Sequence, residues 1–169
     1  MKKTLKAICG MVNICQILIG LFVLLLGTLI YLSDRSPDQI YFVYKSPVEI
    51  SLHNTLPNLF GMIGNSLPSF VHVFSFILIT AGIISSKKKD YIFICAGWFL
   101  IDSIFELGQR YTALVIKFIP DWLSGIPFFE NTNNYFSRGT FDVMDLAAVL
   151  IGSVTGYFVL ILTMEKRKA

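Results

Sequence analysis

The sequence predicts an all-α membrane protein with four transmembrane helices. Of its 169 residues, 54% are hydrophobic and 15% are charged, and the mean hydropathy is +0.67. This balance is too apolar for a soluble domain of this size. The apolar residues are concentrated in four segments of about 20 residues, the length that crosses a bilayer. The basic residues form short clusters beside these segments, which is typical of topology signals, so we expect no nucleic-acid partner.

The first predicted helix, residues 7–32, follows the basic sequence MKKTLK. Its apolar run lasts about 25 residues and lacks a small-residue cleavage site, so we interpret it as an uncleaved membrane helix and not as a signal peptide. The other helices are predicted at residues 67–85, 91–109 and 141–164, and residues 1–169 form a single membrane domain. In the first helix, Asn13, Gln16, Gly20 and Gly27 form a stripe that suits packing within the chain or an interface between copies.

The positions of the basic residues predict the orientation. The first helix is preceded by lysines, the second and third are joined by SSKKKD, and the chain ends in MEKRKA. After four crossings all three clusters lie on one side, which the positive-inside rule assigns to the cytoplasm. We therefore predict a multi-pass protein of the bacterial cytoplasmic (inner) membrane, with both termini inside and the connections 33–66 and 110–140 outside.

The two outer connections are rich in aromatic residues, which suit the headgroup region of a membrane. In the second connection, ALVIKFIP predicts a short helix that lies in the interface. In the first, YFVYKSPVEISL has the alternation of a small β-hairpin, although the pattern is too short to decide.

Ionisable residues inside the predicted helices indicate a site. Asp102, Glu106 and Gln109 share one face of the third helix. The helix rise places Asp102 roughly 17 Å and Glu106 roughly 22 Å across a core about 30 Å thick. His72 on the second helix and Asp145 on the fourth fall in the same outer half of the membrane. Because charges that face lipid are costly, we expect these groups to face one another in a charged pocket that opens outward.

The candidate residues fall into two groups by their chemistry. The predicted acid, base or relay residues are Glu106, Asp145, His72 and Asp102. The predicted substrate-binding residues are Arg138, Gln109, Asp142 and Arg110, of which the two arginines suit an anionic phosphate or carboxylate. A structural reading stays open: Glu106 and Arg138 would form an ion pair that fixes helix packing, and Asp142 would be a charge at a helix N-terminus.

Three stretches of the chain resemble the VanZ-like family of small bacterial membrane proteins: LPSFVHVFSFILITAG, ELGQ and RGTFDVMDLAAVLIGSVTG. The resemblance covers about residues 66–157, and Val149 stands where the family often has Asn. It implies a polytopic protein of the cell envelope, which in some members lowers glycopeptide susceptibility. The family's pattern of acid, Gln, Arg, Asp and spaced glycines, with a polar residue in the second helix, falls here on Glu106, Gln109, Arg138, Asp145, Gly152, Gly156 and His72.

Three functions remain in competition. The first is an envelope protein that binds or acts on an anionic lipid-linked cell-wall precursor, with membrane lipids as its other partners. The second adds a divalent metal held by His72, Glu106, Asp142 and Asp145, although no contiguous ligand motif supports it and we expect no cofactor. The third is non-enzymatic: a membrane interaction or assembly factor, or a small proton-coupled transporter. The sequence does not settle whether the protein is an enzyme, nor its oligomeric state.

Overall fold

The computed structural model describes residues 12–35, 61–84, 87–125 and 132–164. The regular structure in these ranges is helical, which confirms the predicted all-α fold. In chain order the helices are α1 (Ile14–Asp34), α2 (Gly61–Ile84), α3 (Lys88–Arg110), α4 (Thr112–Phe118), α5 (Thr132–Arg138) and α6 (Val143–Leu162), with a 3₁₀ turn at Asp121–Gly125 between α4 and α5. Helices α1, α2, α3 and α6 are long and apolar enough to cross a membrane. The proposed hairpin lies outside the described residues.

Helices α1 and α2 begin at residues other than those predicted. Helix α1 begins at Ile14, because the Asn13 side chain caps the helix by accepting a hydrogen bond from the Gln16 backbone N–H at 3.2 Å. The observed helix thus differs from the predicted span 7–32 at Asn13, and residues 7–11 of that span lie outside the described residues. Helix α2 begins at Gly61 and contains Pro68, which was predicted to lie at the helix boundary. The helix continues through Pro68 at the loss of one backbone hydrogen bond, to the Gly64 carbonyl.

Helix α2 is the centre of the bundle, since it packs against α1, α3 and α6, and α6 also packs against α3. Close approach of α2 and α6 depends on Gly152. A Cβ atom there would lie 2.5 Å from Val73 Cγ1 and 2.9 Å from the Phe70 carbonyl oxygen. The absence of a side chain at Gly152 therefore lets α2 approach α6 closely. In the first helix, Gly20 and Gly27 pack against α2, so the predicted stripe serves packing within the chain.

The two ends of the bundle differ in chemistry. At one end, here called the lysine end, α1 and α3 begin and α2 and α6 end, beside Lys87, Lys88 and Lys89. At the opposite end, called the carboxylate end, α1 and α3 end and α2 and α6 begin. The assignment of the lysine end to the cytoplasm stays a prediction.

The lysine end is held together by uncharged polar groups. Gln16 is fully buried, and its Nε2 donates to the Tyr91 hydroxyl (3.2 Å), the Thr163 hydroxyl (3.1 Å) and the Leu160 carbonyl (3.4 Å). Asn13 Nδ2 donates to the Thr163 carbonyl at 2.9 Å. These hydrogen bonds join α1 to α3 and α6.

Candidate functional site

The carboxylates of α3 lie on its protein-facing side. Asp102 and Glu106 are four residues apart, so they share one helix face, and they are only 7% and 8% exposed. Apolar residues occupy the opposite face, where Leu100 and Ile104 are exposed. A transmembrane helix tolerates two acids in this arrangement because lipid contacts only the apolar face.

Asp102 is paired with the predicted histidine of α2. Its Oδ2 lies 3.0 Å from His72 Nδ1, and the His72 side chain is 50% exposed. The imidazole ring also contacts the rings of Phe76 and Trp98, with centroids at 4.5 Å and 6.2 Å. The pair therefore joins α2 to α3, and one side of its imidazole is accessible.

Glu106 and Asp145 form the second part of the site. Their carboxylates are close enough to interact electrostatically, and Asp102 also acts on Glu106. The Ser69 hydroxyl of α2 lies within hydrogen-bonding reach of both Glu106 and Asp145, and the Ser66 hydroxyl lies within reach of Asp145. Side chains from α2, α3 and α6 thus meet at the carboxylate end. We call this group of Ser66, Ser69, Glu106 and Asp145 the carboxylate cluster.

The carboxylate cluster has more acceptors than the protein fills. Glu106 Oε2 and Asp145 Oδ1 are buried, and neither has a hydrogen-bond partner within the part of the chain that the structure describes. A buried carboxylate oxygen without a donor is costly, and such an atom in a native protein calls for an explanation.

The cation beside the cluster is Arg35, which sequence reasoning did not single out. Its charge acts on both Glu106 and Asp145. The guanidinium donates from Nη2 to the Asn65 carbonyl at 3.1 Å and lies over the Tyr31 ring, 4.8 Å from its centroid. The position of Arg35 in the sequence could have indicated its role, because it directly follows α1, at the level where α3 ends and α6 begins.

The residues predicted to bind substrate lie around the cluster and have other contacts. Gln109 Nε2 donates to the Tyr135 hydroxyl at 3.0 Å, and the Arg110 guanidinium lies over the Phe141 ring. Asp142 is exposed and caps α6, where its carboxylate accepts from the Met144 N–H at 2.9 Å. Asp142 therefore has the role of a charge at a helix N-terminus, which was its alternative interpretation from the sequence. The side chain of Arg138 lies outside the described residues.

The short helix α5 covers α3 next to the cluster. The Phe136 ring stacks on Phe105 at 5.8 Å and packs where Gly108 has no side chain, since a Cβ there would lie 2.6 Å from the ring. Thr112 Oγ1 donates to the Phe136 carbonyl at 2.9 Å. Burial raises the pKa of Tyr135 to about 12, and the nearby Glu106 carboxylate contributes to this rise. Tyr135 therefore stays a neutral phenol beside the acids.

The proposed metal ligands do not assemble into a recognisable site. Among the residues that the structure describes, no group of three or more His, Cys, Asp or Glu side chains is arranged to hold a metal ion. The His72–Asp102 pair and the Glu106–Asp145 pair instead have separate partners.

These features define a multi-pass membrane protein with a buried cluster of ionisable groups at one end of its helical bundle. Comparison of the chain with family models, curated proteins and solved structures gives no match. The resemblance to the VanZ-like family is therefore carried by the quoted residues alone.

Proposed function

We propose that the protein is a VanZ-like envelope protein of the bacterial cytoplasmic membrane that binds a lipid-linked cell-wall precursor at the carboxylate end and affects glycopeptide susceptibility. The observation that carries the proposal is Glu106, which is 8% exposed, has no hydrogen-bond partner for its Oε2 among the described residues and lies beside Asp145 and Arg35. An intramembrane acid with this environment is a functional site by default, because packing alone gives no reason to retain it.

The depth of the cluster suits a lipid headgroup. Glu106 lies four residues before the end of α3, which the helix rise converts to about 6 Å. Asp145 lies in the first turn of α6, and α1 ends next to Arg35. A lipid in the adjoining leaflet would present its phosphate at this level, since headgroups occupy the outermost part of the bilayer.

Each group then has a role in the proposed site. Arg35 would hold the phosphate, since guanidinium binds such anions with charge-assisted hydrogen bonds. Arg110 and Arg138, which belong to helices that end at the carboxylate end, would add positive charge around the phosphate. Glu106 and Asp145 would accept or donate protons. His72, hydrogen-bonded to Asp102, would act as a relay between the acids.

The proposal is tested in a deletion strain that is screened against cell-wall antibiotics and complemented with variants. Glu106→Gln keeps the size of the side chain and removes its acid, so we expect loss of at least about tenfold of the complementing activity, the size typical for an acid–base group. Arg35→Ala and Arg138→Ala should also reduce it. The matched control is Asp121→Asn, which changes an exposed acid of the 3₁₀ turn and should complement fully. Full activity of Glu106→Gln, at normal accumulation in the membrane, would refute the proposal.

A further inference from the structure

The hydrogen-bonding inventory of the carboxylate cluster is incomplete. Glu106 and Asp145 together have four carboxylate oxygens, whereas Ser66 and Ser69 each have one hydroxyl hydrogen. Ser69 lies near both acids but can donate to only one of them at a time. Within the described part of the chain, Glu106 Oε2 and Asp145 Oδ1 are left buried without a donor.

Among the described residues, the nearby His72 and Arg35 side chains do not fill this gap. The His72 Nδ1 atom is engaged with Asp102. Arg35 donates to the Asn65 carbonyl and stacks on Tyr31. Its positive charge acts on the two acids, but its described contacts are with other residues. Asp34, beside Arg35 in sequence, adds two further buried carboxylate oxygens without a described partner. Among the described residues, therefore, no positively charged N–H group donates to Glu106 Oε2 or Asp145 Oδ1.

We infer that the cluster binds a primary ammonium group, carried by a headgroup whose phosphate lies against Arg35. An ammonium group has three N–H donors and no acceptor, so one such group can serve Glu106 Oε2 and Asp145 Oδ1 together. Its charge offsets that of the paired acids. This inference rests on the proposed function for the location of the site, and it adds aminoalkyl phosphates of the phosphoethanolamine type as a class of ligand beside the cell-wall precursor.

Quaternary ammonium and uncharged headgroups are less suited to the carboxylate oxygens that lack donors. A trimethylammonium group has the charge but no N–H, so it leaves both oxygens without donors. A glycerol headgroup has hydroxyl donors but adds no positive charge, and charge-assisted hydrogen bonds are the stronger ones. Lipids that share the phosphate but differ in the rest of the headgroup therefore distinguish a primary ammonium site from the other two possibilities.

The test uses the purified full chain in nanodiscs and native mass spectrometry of the lipids that it retains. The discs contain equal amounts of phosphatidylethanolamine, phosphatidylcholine and phosphatidylglycerol with identical acyl chains. We expect phosphatidylethanolamine to be retained about tenfold more than either of the others, the size of one charged hydrogen bond. Glu106→Gln should remove this preference, and Asp121→Asn should keep it. Equal retention of the three lipids, or preference for phosphatidylglycerol, would overturn the inference without dependence on any variant.

A competition arm identifies the source of the ammonium group. Soluble phosphoethanolamine is added to the loaded discs. Displacement of the lipid supports the ammonium site and assigns it to a free metabolite; retention supports it and assigns it to a lipid headgroup. A lipid preference that survives Glu106→Gln would place the ammonium elsewhere and also overturns the inference.

The lipid experiment tests the inference and the complementation experiment tests the proposed function, so either can be refuted without the other. If Glu106→Gln abolishes complementation but the wild-type chain shows no preference for a primary ammonium, the proposed function stands and the inference falls. If the preference is present but Glu106→Gln complements fully, the site exists and the proposed function falls.

Discussion

The two ends of the bundle connect their helices through different chemical groups. At the lysine end, Gln16 and Asn13 of α1 join α3 and α6 through amide, hydroxyl and carbonyl groups. At the carboxylate end, Glu106 and Asp145 meet the two serines of α2 and lie in the field of Arg35. Among the described residues, the hydrogen bonds that Gln16 and Asn13 make at the lysine end join uncharged groups, whereas the cluster at the carboxylate end contains carboxylates and lies near a guanidinium.

This difference bears on the structural reading of the acids. Neutral hydrogen bonds between transmembrane helices contribute about 0.6 kcal/mol each on average, and they bring no charge into the membrane. The lysine end shows that such bonds join three helices of this chain. Because uncharged groups suffice there, packing gives no reason for paired carboxylates at the other end, and a ligand gives one.

The largest effect is expected from a change between the two ends, in the contact that holds α2 against α6. Gly152→Ala places a methyl group 2.5 Å from Val73 Cγ1 and 2.9 Å from a backbone oxygen, so the helices must separate. We expect a loss of about 1–3 kcal/mol in the free energy of unfolding, measured by unfolding in mixed micelles with increasing denaturing detergent.

The matched control for that change is Gly97→Ala in α3. A Cβ at Gly97 meets no atom within 4 Å, so its stability should stay the same or rise by up to about 1 kcal/mol through helix propensity. Equal losses in the two variants would contradict the close packing of α2 and α6.

The next effect separates the two ends from each other. Gln16→Leu introduces an apolar side chain of similar size and removes the donor to Tyr91 and Thr163, so we expect a loss of about 1–2 kcal/mol in stability. Glu106→Gln should leave the free energy of unfolding within about 0.5 kcal/mol of the wild type, because an amide costs less to bury than an ionised acid.

Activity should show the opposite order. Folded Gln16→Leu should complement the deletion strain, and Glu106→Gln should not. If Glu106→Gln is the less stable variant of the two, the acids serve packing, and the contrast between the two ends disappears.

The sequence predicted the helices well because their signal is local. Length, hydropathy and the lysine clusters indicate four spans, and the i, i+4 spacing of Asp102 and Glu106 places both on one face. The start of α1 was missed because the apolar run continues across Asn13, whereas the cap is set by one side-chain hydrogen bond. Likewise Pro68 suggested a helix boundary, although α2 continues through it.

The site was predicted only in part because contacts between helices depend on rotation and register. Depth placed His72, Asp102, Glu106 and Asp145 in one layer, and the structure brings them together in two pairs. Arg35 was missed because the depth argument covered only the last three helices. Gln109 was assigned to substrate by resemblance, yet its amide donates to Tyr135, a contact that no local pattern reveals.

The last effect concerns pH, and it should arise at the carboxylate end. Folding raises the pKa of Tyr135 from 10.0 to about 12 through burial and the nearby Glu106. A raised pKa of an acid favours the neutral form in the folded state, so the contribution to stability is fully present below pH 10 and is lost as pH rises through about 12. Tyr135→Phe cannot ionise, so the stability difference between wild type and this variant should shift against the wild type across that window. Parallel unfolding curves at pH 9 to 12, with exposed Tyr111→Phe as control, measure it. A constant difference would mean that α5 does not bury Tyr135 beside Glu106.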